Sequence, residues 1–415
     1  MSQRRRPLSP EAAAVIRAQR SAGRLSRRSL FAGAGTLGLG ATLAACGTSG
    51  TATGSSGATA PSAAQDRSAT DKVVNWANWA LYLDYDDKSK NYPTLEAFQK
   101  ETGIKATYDE AIEDNDSYYG KVQGQLANGQ DIGKDIIVFT DYMAARVIEQ
   151  GYVQKLNREN IPNAGNILDN LTDVDFDKGR EYSLTWQSGY AGLAWNKEKL
   201  PQGLKSVDDL WSPALKGKVE VLSEMRDTLG LIMLQQGVDI SGDFTSDQFG
   251  DAVAVLEKQL NNGQIRQVKG NSYAQDLISG DAIAVIAWSG DITALNAENG
   301  DKWGFALPEA GGTMWSDNML VPIGSPHKTN AETLMNYYYE PEVAAEVAAY
   351  VNYICPVKGA QDVLAKSKDK ELRALTTNPN IFPTDADLAK VKVFRTLTGT
   401  EETEFASEFQ RVLGN

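Results

Sequence analysis

The chain has 415 residues, more than a single core usually serves, so two domains are expected. One histidine (His327) and two cysteines (Cys46 and Cys355) exclude His-rich metal sites, zinc ribbons and a disulfide framework. The net charge of −13 is uneven: residues 1–45 hold eight Arg against one acid, Glu11, which leaves −20 on residues 46–415. A body that acidic repels nucleic acid and anionic membranes and attracts cations, although acidity also serves plain solubility.

The start of the chain reads as an export address rather than as fold. Ser26-Arg27-Arg28-Ser29-Leu30-Phe31 is a twin-arginine pattern. The uncharged run from Phe31 to Ala45 is too short and too Gly-rich for a spanning helix, which needs about 20 apolar residues. It ends in Leu43-Ala44-Ala45-Cys46-Gly47, the pattern of a bacterial lipobox, with Cys46 as the lipidated residue; a buried cysteine in an apolar helix is the plain alternative. Residues 1–45 are thus expected to be a signal peptide and 46–70 a lipid-anchored tether. Gly47 to Thr70 lacks any large apolar residue and cannot bury enough to fold. As a free coil its ends lie roughly 25–30 Å apart.

From Asp71 the chain alternates strands and helices. Val73–Ala77 starts a strand, Pro93 opens a helix ending at Gly103, and Ile104–Tyr108 is the next strand. Tyr118–Leu126 reads as a helix and Asp135–Phe139 as a buried strand with four adjacent apolar residues. Asp141 is placed to cap a helix running to Gly151. A second set follows: strands at Gly192–Trp195, Val219–Leu222 and Ala282–Trp288, and helices at Asp227–Gln236 and Phe249–Leu260. Repeated βαβ units predict parallel sheets with helices on both faces. Two such units suggest two lobes with a cleft at the carboxyl ends of the strands.

Aromatic rings and carboxylates recur at those ends. They include Trp79-Ala80-Leu81-Tyr82, Thr140-Asp141-Tyr142, Ser223-Glu224-Met225-Arg226-Asp227, Trp288-Ser289-Gly290-Asp291, Trp315-Ser316-Asp317 and Tyr353. Taken singly, each has an ordinary use. Glu224 and Asp227 suit the first turn of a helix, worth about 0.3–1 kcal/mol against the macrodipole. Trp79, Trp288 and Trp315 suit a core, and Asp317 a turn. Taken together, carboxylates that pair with ammonium groups and rings that pack on methylene chains suit a ligand with more than one cationic centre.

These segments, with Glu101-Thr102-Gly103-Ile104-Lys105, Asp209-Leu210-Trp211 and Glu309-Ala310-Gly311-Gly312, resemble the spermidine/putrescine-binding proteins. Those are the polyamine branch of the type 2 periplasmic binding protein fold. The resemblance runs from about Val73 to Gln410 and rests on the order and spacing of the stretches. It implies an α/β fold of two lobes, each a mainly parallel sheet flanked by helices, with the ligand between them. The implied lobes are 71–187 plus 316–361 and 188–315 plus 362–415. It further implies that Trp79 and Tyr82 wall the cleft beside Thr140 and Tyr142. Glu224, Asp227 and Asp317 then neutralise amines, Trp288 and Trp315 sandwich the methylene chain, and Tyr353 lies ahead of Pro356.

Two positions depart from the family pattern. Ala80 replaces a frequent hydroxyl residue, and Arg395 falls where a ligand-reaching Gln is typical. An Arg there either points outward or faces a ligand carboxylate. The second option leaves open another cationic or zwitterionic solute, such as a quaternary amine, an opine or a thiamine-like compound.

The implied function is capture of a small cationic solute outside the cell for an ABC transporter permease. The implied protein is a monomer without cofactor, metal or nucleic-acid partner, held to the membrane by lipid on Cys46. An exported hydrolase is the rival from another class. It needs a nucleophile with a base, yet His327 reads as part of a polar surface loop, Cys355 as a buried thiol, and no Gly-x-Ser-x-Gly elbow occurs. A purely structural lipoprotein is the third possibility, and the clustering of rings and acids argues against it.

Overall fold

The computed structural model describes residues 61–112 and 114–414. The twin-arginine segment and Cys46 lie outside the described residues. So does most of the expected tether, but its last part is not free. Pro61–Thr70 is docked: the Ala64 amide donates to the Ile323 carbonyl at 2.9 Å and the Arg67 amide to the Pro326 carbonyl at 2.7 Å. Asp66 accepts from the Thr329 hydroxyl at 2.5 Å, and Ser68 is buried. Small polar residues that cannot form a core can still pair with one already formed.

The strands are β1 (Val73–Trp79), β2 (Lys105–Ile112), β3 (Ile136–Thr140), β4 (Ser183–Asn196), β5 (Val219–Leu222), β6 (Ile265–Lys269), β7 (Ala284–Trp288), β8 (Trp303–Ala306), β9 (Gly312–Leu320) and β10 (Val391–Val393). They join in one mixed sheet in the order β2-β1-β3-β9-β4-β7-β5-β6, with β10 on β9 and β8 on β4. The parallel sets β2-β1-β3 and β7-β5-β6 form its two ends. The antiparallel pair β4 and β9 runs through both. β9 pairs with β3 through Asp317–Leu320 and with β10 through Gly312–Met314.

Two lobes follow from this. The first has cores on both faces of β1 and β3, around Trp76, Phe98 and Tyr338 on one face and Phe139, Met143 and Leu126 on the other. The second core gathers Leu229, Phe249, Ile286, Phe405 and Phe409. The C-terminal segment is divided otherwise than expected. Leu364, Leu372 and Ile381 pack in the first core, so the chain leaves that lobe well after residue 361. The strand expected at Gly192–Trp195 is the end of the 14-residue β4. Ser183–Ala191 was not legible as strand because it is buried throughout and mixes Ser, Gln and Gly with apolar residues, so it lacks alternation.

Helix boundaries follow local chemistry. The helix Pro93–Thr102 starts on its proline and ends at Gly103 with φ 70°. Thr245 and Gln248 form a capping box for Ser246–Asn261, as Thr398 and Glu401 do for Gly399–Leu413. Thr140, not Asp141, is the N-cap of the helix Asp141–Glu149. The Asp141 carboxylate instead crosses to β9, accepting from the Ser316 amide at 2.9 Å and the Asn318 side chain at 2.8 Å.

His327 is a second correction. It is buried, not on a surface loop, with Nδ1 3.0 Å from Asp135 and Nε2 3.0 Å from Asp71. It ties the start of the body to the first lobe. Cys355 is buried, and burial pushes its thiol up to about 12. No helix among the described residues is long and apolar enough to cross a membrane.

Candidate functional site

The two crossing strands place the decisive residues. In the β4–β9 ladder Asp317 lies opposite Gln187, Ser316 opposite Ser188 and Trp315 opposite Gly189. A side chain at Gly189 has no room: a Cβ there would lie 2.5 Å from the Trp315 ring and 2.9 Å from that of Tyr353. Gly290, at the start of the helix Ser289–Asn299, is tighter still, since its Cβ would meet the Tyr353 ring at 2.5–2.6 Å. Gly290→Ala is therefore expected to displace Tyr353 and destabilise the fold by about 1–3 kcal/mol, the usual cost of overpacking. Thermal melting checks the stability, and calorimetry should show weaker ligand binding.

Asp317 is buried, and each of its oxygens is held by a neutral donor. The Thr140 hydroxyl donates at 2.7 Å and the Tyr82 hydroxyl at 2.8 Å. Asn115 steadies Thr140 with a bond of 2.9 Å. Burial pushes the Asp317 carboxyl up to about 7, and the charges of Asp141 and Asp227 add to the shift, while Thr140 and Tyr82 oppose it.

Asp227, on the first turn of the helix Met225–Gln235, is held in the same way from the other lobe. The Trp288 indole N–H donates at 2.7 Å and the Thr313 hydroxyl at 2.6 Å. Burial raises its carboxyl against those bonds and Arg226. Two buried acids are thus each clamped by uncharged donors, and the charge of Asp227 adds to the cost of ionising Asp317.

Rings surround the pair. Tyr353 meets Tyr82 edge-on with centroids 5.8 Å apart, and Trp315 at 5.3 Å. Its hydroxyl donates to Asp291 at 3.2 Å. Asp291 also accepts from Tyr273 and Asn271, each at 2.9 Å, and the Trp288 amide donates to the Tyr273 hydroxyl at 3.0 Å. Asp291 was missed as a site residue. The signal was its place in Trp288-Ser289-Gly290-Asp291, directly after β7.

The other predicted residues divide. Trp79 is half-buried, packs against both first-lobe cores, and donates its indole N–H to the Val138 carbonyl at 3.2 Å. Glu224 caps its helix, and burial pushes its carboxyl up to about 7. It is the most open of the three acids, with 31% of its side chain exposed, and Arg226 lies 3.8 Å away. Around Tyr142, Arg226 lies over one face of the ring, 3.9 Å from the centroid, and the hydroxyl donates to Asp116 at 3.3 Å.

Arg395 is paired within the second lobe. Its guanidinium forms a fork with Glu401 at 2.6 and 3.1 Å and stacks over Phe244 at 4.3 Å. Spacing hid this pair, because Glu401 reads only as a capping residue. Arg395→Ala should leave solute affinity within about twofold of the parent, as expected for an uncoupled site. It should lower the melting temperature through lost packing on Phe244.

Residues 94–377 match the family model described as bacterial extracellular solute-binding protein. The chain belongs to that family. The solute-binding family acts in transport outside the cytoplasm and is not enzymatic. Among curated relatives, the protein is 24% identical over 320 residues to the spermidine/putrescine-binding periplasmic protein of Escherichia coli strain K12, covering 77% of this chain and 87% of that one. It is 26% identical over 333 residues to that strain's putrescine-binding periplasmic protein PotF, covering 76% and 84%. Among solved structures, a putative spermidine/putrescine ABC transporter from Listeria monocytogenes superposes with a TM-score of 0.70 at 23% identity, covering 82% of this chain and 99% of that one. This last likeness shows the shared two-lobed fold.

Proposed function

We propose that this solute-binding protein captures a polyamine of the putrescine or spermidine kind for an ABC importer. The observation that carries the reading is the pair of clamped buried acids, Asp317 from the strand that crosses both lobes and Asp227 from the second lobe, set among Tyr82, Trp288, Trp315 and Tyr353. A protonated diamine satisfies two such acids at once, and its methylene chain packs on the rings. The names of the curated relatives agree with that cargo. Both terminal nitrogens of Arg395 are already paired with Glu401, which leaves a ligand carboxylate without support.

The export segment and Cys46 complete the proposal. The protein leaves the cell through the twin-arginine signal and is held at the membrane by lipid on Cys46. The expected monomer then works with a permease as its partner.

Calorimetry with putrescine, spermidine and spermine tests the cargo. Micromolar binding, about −8 kcal/mol, is expected for at least one. Absence of heat and of any melting shift with all three, alongside binding of glycine betaine, thiamine or an opine, overturns it. Cys46→Ser should move the protein from the membrane fraction to the soluble one. Unchanged membrane association rejects the anchor.

A further inference from the structure

A closed circuit of charged groups joins the lobes beside the site. Arg146, on the helix Asp141–Glu149, belongs to the first lobe. Glu402, on the helix Gly399–Leu413, belongs to the second, where that helix buries Phe405 and Phe409. One Glu402 oxygen lies 3.3 Å from Arg146 and the other 2.5 Å from Arg226. Arg226 in turn lies over the first-lobe Tyr142 ring, and Asp116 closes the loop by accepting from Arg146 at 3.1 Å and from Tyr142 at 3.3 Å. One carboxylate is thus shared by an arginine from each lobe, and one ring from the first lobe is covered by an arginine from the second.

We propose that Arg146, Glu402, Arg226 and Tyr142 form an interlobe clasp that sets solute affinity by holding the lobes together, while Arg146 and Glu402 never touch the solute. Isolated exposed ion pairs contribute little. This one is a network, and its central groups are shielded: 13% of the Arg226 side chain and 19% of the Glu402 side chain are exposed. Breaking it opens the cleft and lowers the fraction of molecules competent to bind, so apparent affinity falls by that fraction. The inference rests on the solute-binding reading of the site but not on the identity of the cargo.

Arg146→Gln, Glu402→Gln and the double variant test it on the full exported chain. Small-angle scattering of ligand-free protein reads lobe separation without any solute. Each single variant should increase the radius of gyration, and the double variant should resemble the singles because the residues act as one unit. Putrescine and spermidine titrations should then show roughly three- to tenfold weaker binding with faster release. Unchanged dimensions in all three variants overturn the clasp, as do additive effects of the two substitutions. If neither amine binds the parent, the cargo proposal fails while the scattering still decides the clasp. Circular dichroism and melting confirm that each variant is folded.

Discussion

Asp317→Asn should weaken polyamine binding by roughly 30- to 5,000-fold, because truncating one partner of a desolvated charge pair usually costs about 2–5 kcal/mol. Asp227→Asn should do the same from the other lobe. The fold should survive both changes, since the hydroxyls of Tyr82, Thr140 and Thr313 can rotate to donate to or accept from an amide. Glu224→Gln should cost less than about fivefold, because it is the most open of the three acids and Arg226 already neutralises part of its charge. Calorimetry on the three variants gives the ranking. Equal losses at all three positions, or a larger loss at Glu224, would show that the clamped pair is not the centre of the site.

The second large effect is a dependence on pH that runs in opposite directions for folding and for binding. Burial pushes Asp317, Glu224 and Asp84 each up to about 7, above the ordinary carboxylate range. A carboxyl raised on folding gives stability that is complete below its unfolded value and lost as pH rises through its folded value. The ligand-free protein should therefore melt at a lower temperature at pH 8 than at pH 5. An ammonium group reverses the preference, since it pairs with the ionised acid. Polyamine affinity should rise by roughly tenfold per pH unit below about 7 for each acid that must ionise. Binding near neutrality should release protons, read as a dependence of the calorimetric heat on the buffer's own ionisation heat. A melting temperature that climbs from pH 5 to pH 8, with buffer-independent heats, would contradict this.

Much of this site could be read from residues alone. Asp317 and Trp315 lie within one short stretch, and β3 was visible as an apolar run, so Thr140 could be placed at its end. The loop carrying Tyr82 was set by the strand before it. What escaped was pairing between distant segments. Arg395 with Glu401, Arg226 with Glu402, and Tyr142 beneath Arg226 are contacts chosen by the packing of whole helices, and a linear pattern does not encode them. The same holds for His327, whose polar neighbours suggested a loop while two carboxylates from elsewhere buried it. Pro61–Thr70 escaped because its composition resembles a linker, whereas its backbone finds partners on the first lobe. Asp291 was in view but outweighed by the acids beside it, and only its three donors give it a role in holding Tyr353.

The most direct test is a crystal structure of the protein grown with putrescine at pH 8. One ammonium nitrogen should lie within hydrogen-bonding distance of Asp317 and the other on the Asp227 side, with the methylene chain against Trp288, Trp315 or Tyr353. A diamine found elsewhere on the protein, with Asp317 and Asp227 still held only by their hydroxyl and indole donors, would contradict the account.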